Sequence, residues 1–391
     1  MNKRLIAFSA VIALALFSLN GCGNNDSDAE PFLPELQEEK VTEIIWDEEP
    51  GEDVIDFSGA EVDIEEFPEG MTASTLTGLA IPEETAGNRP LAVMIGNTTE
   101  ALPQYGLSQA DILYEVPVEG GITRLMAIFG DYSGLTRIGC VRSARLYFAE
   151  IATEYDAMYC HFGQAPYAES YLNSGAVTDL NGLSGTVGGL AFYRTSDKKA
   201  PHNAYVSEEG INAAIEKMGY RTRYDQDFEQ HFSFSSSDYT MSDITESGKC
   251  ELCVTGYNLS NTRFEYNEEE GVYYRFHYKR EHVDAGGSDD TSETQLSYTN
   301  VIIMSMNGKV IDNNGYMEFD TVGSGTGVYL CDGKRIDVVW SKDSLKSHSR
   351  FSDAFGKELV LKPGKTAICV IDDDNMSRVS FYETLTEYTN G

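Results

Sequence analysis

The sequence predicts a mixed α/β protein: an N-terminal α/β domain around a central, mostly buried sheet, followed by a C-terminal β-dominated domain. Three observations lead there. From Arg89 to about Gln230, short apolar runs alternate with stretches of helical period. After Phe232 the helical periods stop, and strand-like runs separated by Gly, Asn and Asp turns take over. Finally, the 303 residues after Asn88 exceed one typical domain and suit two.

The elements follow in order. Lys3 and Arg4 precede an apolar run from Leu5 to Leu19, and Leu19-Asn20-Gly21-Cys22 closes it. A charged start, a run too short for a membrane span and a small residue before cysteine form a lipoprotein leader, residues 1–21, with Cys22 as the acylated new first residue. An ordinary leader with a chance cysteine is the plainer alternative. Residues 23–88 hold 20 Asp and Glu against one Lys, a net of −19 out of the chain's −34. Such a segment buries too little apolar surface to offset chain entropy, so 22–88 reads as an acidic disordered tether. Nothing in the chain is basic enough for a nucleic-acid footprint.

Residues 89–235 form the first expected domain. Leu91–Ile95 has the continuous apolar character of a strand buried on both faces. Ile112–Val116 and Ile122–Phe129 flank Glu119-Gly120-Gly121 as a hairpin. A helix opens at Ser143 and runs to Tyr155, Ala157–His161 returns as a strand, and a helix after Ser207 ends at Gly219. Residues 245–391 form the second domain, with strands at 250–257, 262–266, 272–278, 299–306, 327–330, 335–340 and 366–371. Asn267–Gly271 and Asp332-Gly333 supply turns, and Gly323–Gly327 reads as a flexible hairpin.

The chemistry concentrates in few places. Arg142 and Arg145, flanking Ser143, fall three residues apart at the start of the expected helix, where the helix dipole disfavours cations. Something negative should offset them. Carboxylates would make a structural ion-pair network locking hairpin to helix; an anionic ligand would make a pocket with arginine clamps. Glu119 and Arg124, bracketing Gly120-Gly121, serve either reading, and Asp111 and Glu115 stand just upstream as candidate acid/base groups. His161, at a strand end, and His202-Asn203, before another strand, are further acid/base candidates. A lone histidine is usually structural; two on loops of one domain suggest a shared site. His282-Val283-Asp284 and Trp340-Ser341-Lys342 lie beside strands, where exposure is the default. Cys250-Glu251-Leu252-Cys253 is half a metal site without its second half, so no metal and no cofactor is expected.

Several segments, in order, resemble one family. Arg89–Ile95, Gly106–Asp111, Glu119–Arg124 and Ile138–Arg145 are similar to the N-terminal half of the DUF3048 family of Gram-positive lipoproteins. His282–Asp284, Val322–Gly325 and Asp332–Lys342 are similar to its C-terminal half. The family usually carries proline at the position of Cys140 and glycine at that of Gln164. The resemblance implies a membrane-anchored, two-domain extracytoplasmic protein with no assigned activity.

Three functions remain in view: a binding module for an anionic envelope ligand through Arg142, Arg145 and Arg124; a hydrolase or transferase acting on wall glycan or phosphodiester, with Glu119 or Asp111 as acid/base and His161 or His202 assisting; and an assembly factor presenting its β domain to an envelope protein. The expected partners are therefore the membrane, through the lipid on Cys22, an anionic ligand, and an envelope protein.

Overall fold

In the computed structural model, residues 67–226, 228–235, 248–288 and 292–390 are described. Cys22, the expected leader and the expected tether up to residue 66 lie outside the described residues.

The sequence builds one long sheet from both halves of the chain. Its N-terminal strands are β1 (Leu91–Gly96), β2 (Ile112–Pro117), β3 (Thr123–Phe129), β4 (Met158–His161) and β5 (Thr178–Asn181). Its C-terminal strands are β6 (Gly248–Lys249), β7 (Asn300–Met306), β8 (Gly323–Cys331), β9 (Lys334–Lys342), β10 (Arg350–Ser352) and β11 (Thr366–Asp372). Among the described residues the order is β6-β9-β8-β7-β11-β2-β3-β1-β4-β5, with β10 beside β9. The seam between the halves is a parallel pair, β11 on β2, with Thr366 opposite Ile112 and Cys369 opposite Glu115. The expected α/β half and β half are both present, joined through this seam into one sheet.

Among the described residues, four α-helices lie in the N-terminal half: α1 (Leu146–Glu154), α2 (Pro166–Asn173), α3 (Gly185–Ala191) and α4 (Glu208–Met218). They explain the apolar run of β1, every residue of which is buried. Ala92 and Met94 enter one core with Phe148 and Ile151 of α1, while Leu91, Val93 and Ile95 enter another with Val187, Ile211 and Ile215 of α3 and α4. A strand covered on both faces cannot alternate with polar residues. In the C-terminal half the second core is closed by a six-stranded sheet that includes Leu252–Val254, Arg263–Asn267 and Val272–His277.

Local signals held where their chemistry was specific. Ser207 accepts a hydrogen bond from the Gly210 amide, and Gly219 closes α4 at φ +66°, the left-handed conformation of a helix stop. The hairpin β2–β3 is antiparallel, with Pro117 opposite Thr123.

Four expectations need correction. The tether does not reach residue 88: Met71–Ala73 pairs with Ala80–Pro82, and Leu76 is buried in the first core. The helix does not open at Ser143; Arg145 is the N-cap residue, in extended conformation, and α1 starts at Leu146. Gly323–Gly327 is no loose hairpin but the start of β8. A side chain at Gly325 would meet the Trp340 indole at 2.5 Å and the Ser305 carbonyl at 2.9 Å, so glycine lets that ring lie across the strand. Lastly, Lys342, His282 and Asp284 are buried, not exposed.

Candidate functional site

Strands β7, β11, β2, β1, β4 and β5 all run the same way, so their carboxyl ends share one edge of the sheet. Ligands of open α/β sheets gather at that edge. Here Pro117 leads into the Glu119–Gly121 loop, Gly96 meets the extended segment carrying Arg142, and His161 and Asn181 end their strands.

The arginines divide into two groups. Arg145 donates through Nε to Glu119 Oε2 at 2.9 Å and through Nη2 to Oε1, a two-pronged pair. Its remaining Nη1 donates to the Ala144 carbonyl at 2.8 Å. Arg124 is 4% exposed and donates to the Ser143 carbonyl at 2.5 Å. Burial pushes its guanidinium down to about 10, with Arg145 adding repulsion. Burial alone would raise the Glu119 carboxyl, but Arg145 outweighs it and holds Glu119 below the usual range. Hairpin and helix start are thus clamped by their own charges. Ser143, instead of capping a helix, donates to the Phe162 carbonyl at 3.1 Å. The two cations do not share a helix face, because their segment is extended.

Arg142 differs. Among the described residues no carboxylate lies within salt-bridge distance of it; its Nη1 donates to His202 Nδ1 at 3.2 Å. His202 is therefore the acceptor there, and burial, then Arg142, holds its ring below the ordinary histidine range. Asn203 is engaged in its own turn, accepting from Arg194 and donating to the Thr195 carbonyl.

The acid/base candidates scatter. His161 is fully buried, with Nδ1 at 2.8 Å from the Gly163 carbonyl and Nε2 at 2.6 Å from Asp179, so both nitrogens are occupied. No hydrogen bond joins it to His202 among the described residues. Asp111 sits at the opposite, amino end of β2. Burial raises its carboxyl to about 6, against the pull of the Gly130 amide it accepts from at 2.7 Å.

Glu115 is enclosed. Its carboxylate accepts from Asn97, Thr123, Ser260 and Thr262, and from Arg275 Nη2 at 2.5 Å. A carboxylate held by five donors and closed to solvent is a structural anion rather than an acid/base. The network fixes its own tautomers. Glu115 only accepts, so the Asn97 amide nitrogen faces it and Asn97 Oδ1 faces His277 Nδ1 at 3.3 Å, which must donate. Burial, then Arg275 and Arg280, pushes His277 down to about 2, so that ring is neutral. Gln104 donates to the Gly96 carbonyl, which turns its oxygen to His282 Nε2. None of these cross-half partners was foreseen; Arg275 and Glu115 are 160 residues apart.

A cavity opens at the carboxyl edge, directly over the seam. It measures about 280 Å³ and is lined from both halves of the chain. Pro117, Val118, Ile122, Met317 and Ile371 supply apolar wall; Asn258, Asp372, Asn375 and Arg378 supply polar groups. Gly120 and Gly121 form part of its rim at φ +75° and +72°. An added Cβ would have open space at either, so they are glycines for the turn's left-handed backbone rather than for room. Arg378 donates to Asn258 at 2.6 Å, and burial raises the Asp372 carboxyl. Arg124, Arg142 and Arg145 do not line this cavity. Among the described residues no three His, Cys, Asp or Glu side chains are grouped to hold a metal ion, and the six described cysteines are buried and free.

A family model described as "Protein of unknown function (DUF3048) N-terminal domain" matches residues 76–221, and its C-terminal counterpart matches 253–368. YerB of Bacillus subtilis (strain 168), by its name a proposed lipoprotein, is 32% identical over 305 residues, covering 78% of this chain and 88% of YerB. A crystal structure of YerB from Bacillus subtilis superposes with a TM-score of 0.67 at 29% identity, over 79% of this chain and 99% of that one.

Proposed function

The chain belongs to the DUF3048 family, and from that premise we propose that it is a lipid-anchored extracytoplasmic binding protein whose ligand occupies the cavity over the seam. One observation carries the reading: the cavity stands at the carboxyl ends of two adjacent parallel strands, one from each half, with apolar walls and a few polar groups. That is the usual composition of a small-molecule site, where apolar contact supplies affinity and placed polar groups supply orientation. The ligand that fits is amphipathic, its apolar body against Val118, Ile122 and Met317, its polar end between Asp372 and Arg378. Binding is favoured over hydrolysis because the carboxylates and histidines expected to act as acid and base are enclosed or already paired. The anchor rests on Cys22 at the end of the leader and on the lipoprotein name of a relative.

A second reading keeps the anionic ligand, on Arg142, because its guanidinium has no carboxylate partner among the described residues. One experiment separates them. Saturation-transfer NMR with muramyl dipeptide, glycerol phosphate and a short-chain acylglycerol is run on wild type, Val310→Trp and Arg142→Gln. Val310 is 64% exposed at the cavity mouth, so tryptophan can cover the opening without entering the core. Binding lost in Val310→Trp and kept in Arg142→Gln supports the cavity. The reverse pattern supports the arginine, and a ligand that both variants still bind overturns both readings.

A further inference from the structure

Between the two halves of the chain, residues 228–235 begin at a polar cleft of about 610 Å³ on the side of the molecule where α1 ends. Phe228 and Glu229 belong to that cleft's wall, with His348 and Arg350 across from them. The segment is held at several points. Phe228 stacks on Tyr224 at 3.9 Å between ring centroids. Phe232 is buried, Ser233–Phe234 pairs in parallel with Val360–Leu361, and Glu229 faces Arg350 at 3.4 Å with both side chains at least half exposed.

At its centre sits a residue that does not suit its place. His231 is 3% exposed, and neither ring nitrogen has a hydrogen-bond partner among the described residues. Its ring stacks on Tyr155 at 4.0 Å and meets His348 edge-on at 5.3 Å. A buried, unpartnered imidazole costs the fold the hydration it lost, and apolar replacement would avoid that cost. The charges around it are unfavourable to a proton. From β9 comes Lys342, itself buried and paired with Glu154 of α1 at 2.9 Å. From the following loop comes His348, which donates to the Glu154 carbonyl, and from the start of β10 comes Arg350. Tyr155, the C-cap of α1, and Tyr114 of β2 turn their hydroxyls to each other. The one carboxylate in the cluster, Glu154, is taken by Lys342 and by the amide and hydroxyl of Ser349. Glu229, on the segment itself, points outward to Arg350.

We propose that residues 228–235 form an acid-released strap: docked while His231 is neutral, and undocked when that ring takes a proton, which widens the polar cleft beside it. This device is independent of the ligand cavity on the carboxyl edge. The direction follows from linkage. Burial, then His348, Lys342 and Arg350, holds the docked ring well below the ordinary histidine range. The undocked ring recovers an ordinary value of about 6.5, so the undocked state binds a proton that the docked state refuses. Docking is therefore unaffected above that value and weakens as pH falls below it. Between pH 7.5 and 5.0 the opening equilibrium should rise about 30-fold from His231 alone.

The test is hydrogen exchange on the full chain in detergent micelles, expressed as protection factors so that intrinsic exchange is removed. Amides of 228–235 in wild type should lose about 30-fold protection between pH 7.5 and 5.0, while those of β1 and β3 lose little. His231→Phe keeps the ring stack on Tyr155 and should abolish the loss. A strap equally acid-sensitive in His231→Phe overturns the proposal. A measurement on wild type needs no variant: the carbon shift of His231 Cε1 should stay at its neutral value while the strap amides are protected. A ring titrating near 6.5 under a still-protected strap overturns it as well.

Discussion

The carboxylate of Glu115 and the guanidinium of Arg275 meet at 2.5 Å across the seam, each with 1% of its side chain exposed. One comes from a strand of the main sheet and the other from the smaller sheet packed on it, so the pair ties the two halves together through buried side chains. Removing one partner leaves a buried charge alone, which typically costs 3–5 kcal/mol. Arg275→Met should lower unfolding stability by about that much in urea titrations. Glu115→Leu combined with Arg275→Met should recover part of the loss, because no lone charge then remains buried. Equal damage from the single and double variants would mean that the surrounding hydroxyl network, not the charge, sets the cost.

Arg145 and Arg142 should behave oppositely despite standing three residues apart. Arg145→Gln breaks the two-pronged bond to Glu119 and should cost about 1–3 kcal/mol. Arg142→Gln loses only a bond to a neutral His202 and should cost clearly less. Chemical denaturation of the two variants side by side checks this, and equal losses would contradict the division drawn from the geometry.

Asp111 predicts a stability gain on mild acidification. Its folded carboxyl titrates near 6 and its unfolded one near 3.8, so between those values the folded state holds the extra proton. Stability from this group is fully present below the unfolded value and is lost as pH rises through 6. The difference amounts to on the order of 2–3 kcal/mol. Asp111→Asn, which keeps an acceptor for the Gly130 amide, should flatten that part of the stability profile between pH 7 and 4. An unchanged slope in the variant would assign the dependence elsewhere.

Under the proposed lipidation of Cys22, Cys22→Ser should release the protein from membranes into the soluble fraction, since stable anchoring would rest on the acyl chains there. Membrane fractionation followed by immunoblotting reads the outcome. A variant still retained in the membrane pellet would remove the lipid anchor.

Much of the fold was legible in the residues. The unbroken apolar run Leu91–Ile95 announced a strand with both faces covered, and Ser207 with Gly219 marked both ends of α4. These signals are local, and their partners lie within a few residues or on an adjacent layer. The site was legible only in part. Gly120-Gly121 borders the cavity, though for its left-handed turn and not for room, and Glu119 pairs with Arg145. The partners that decide what those groups do come from far along the chain: Met317, Asp372 and Arg378 for the cavity, Arg275 for Glu115. No spacing rule reports a register set by a parallel pair 254 residues apart, as between Ile112 and Thr366. Lys342 and His282 were misjudged for the same reason. Polar residues beside strands are exposed by default, and only the second layer of structure buries these.

The position of β11 has a bearing on how the chain comes together. Among the last strands to emerge from synthesis, it is inserted between β7 and β2 in the interior of the sheet. Until Thr366 and the residues after it arrive, β2 and β7 each present a row of unsatisfied amides and carbonyls, the kind of border that recruits strangers. A truncation upstream of that point would therefore leave two sticky half-sheets rather than one intact smaller protein.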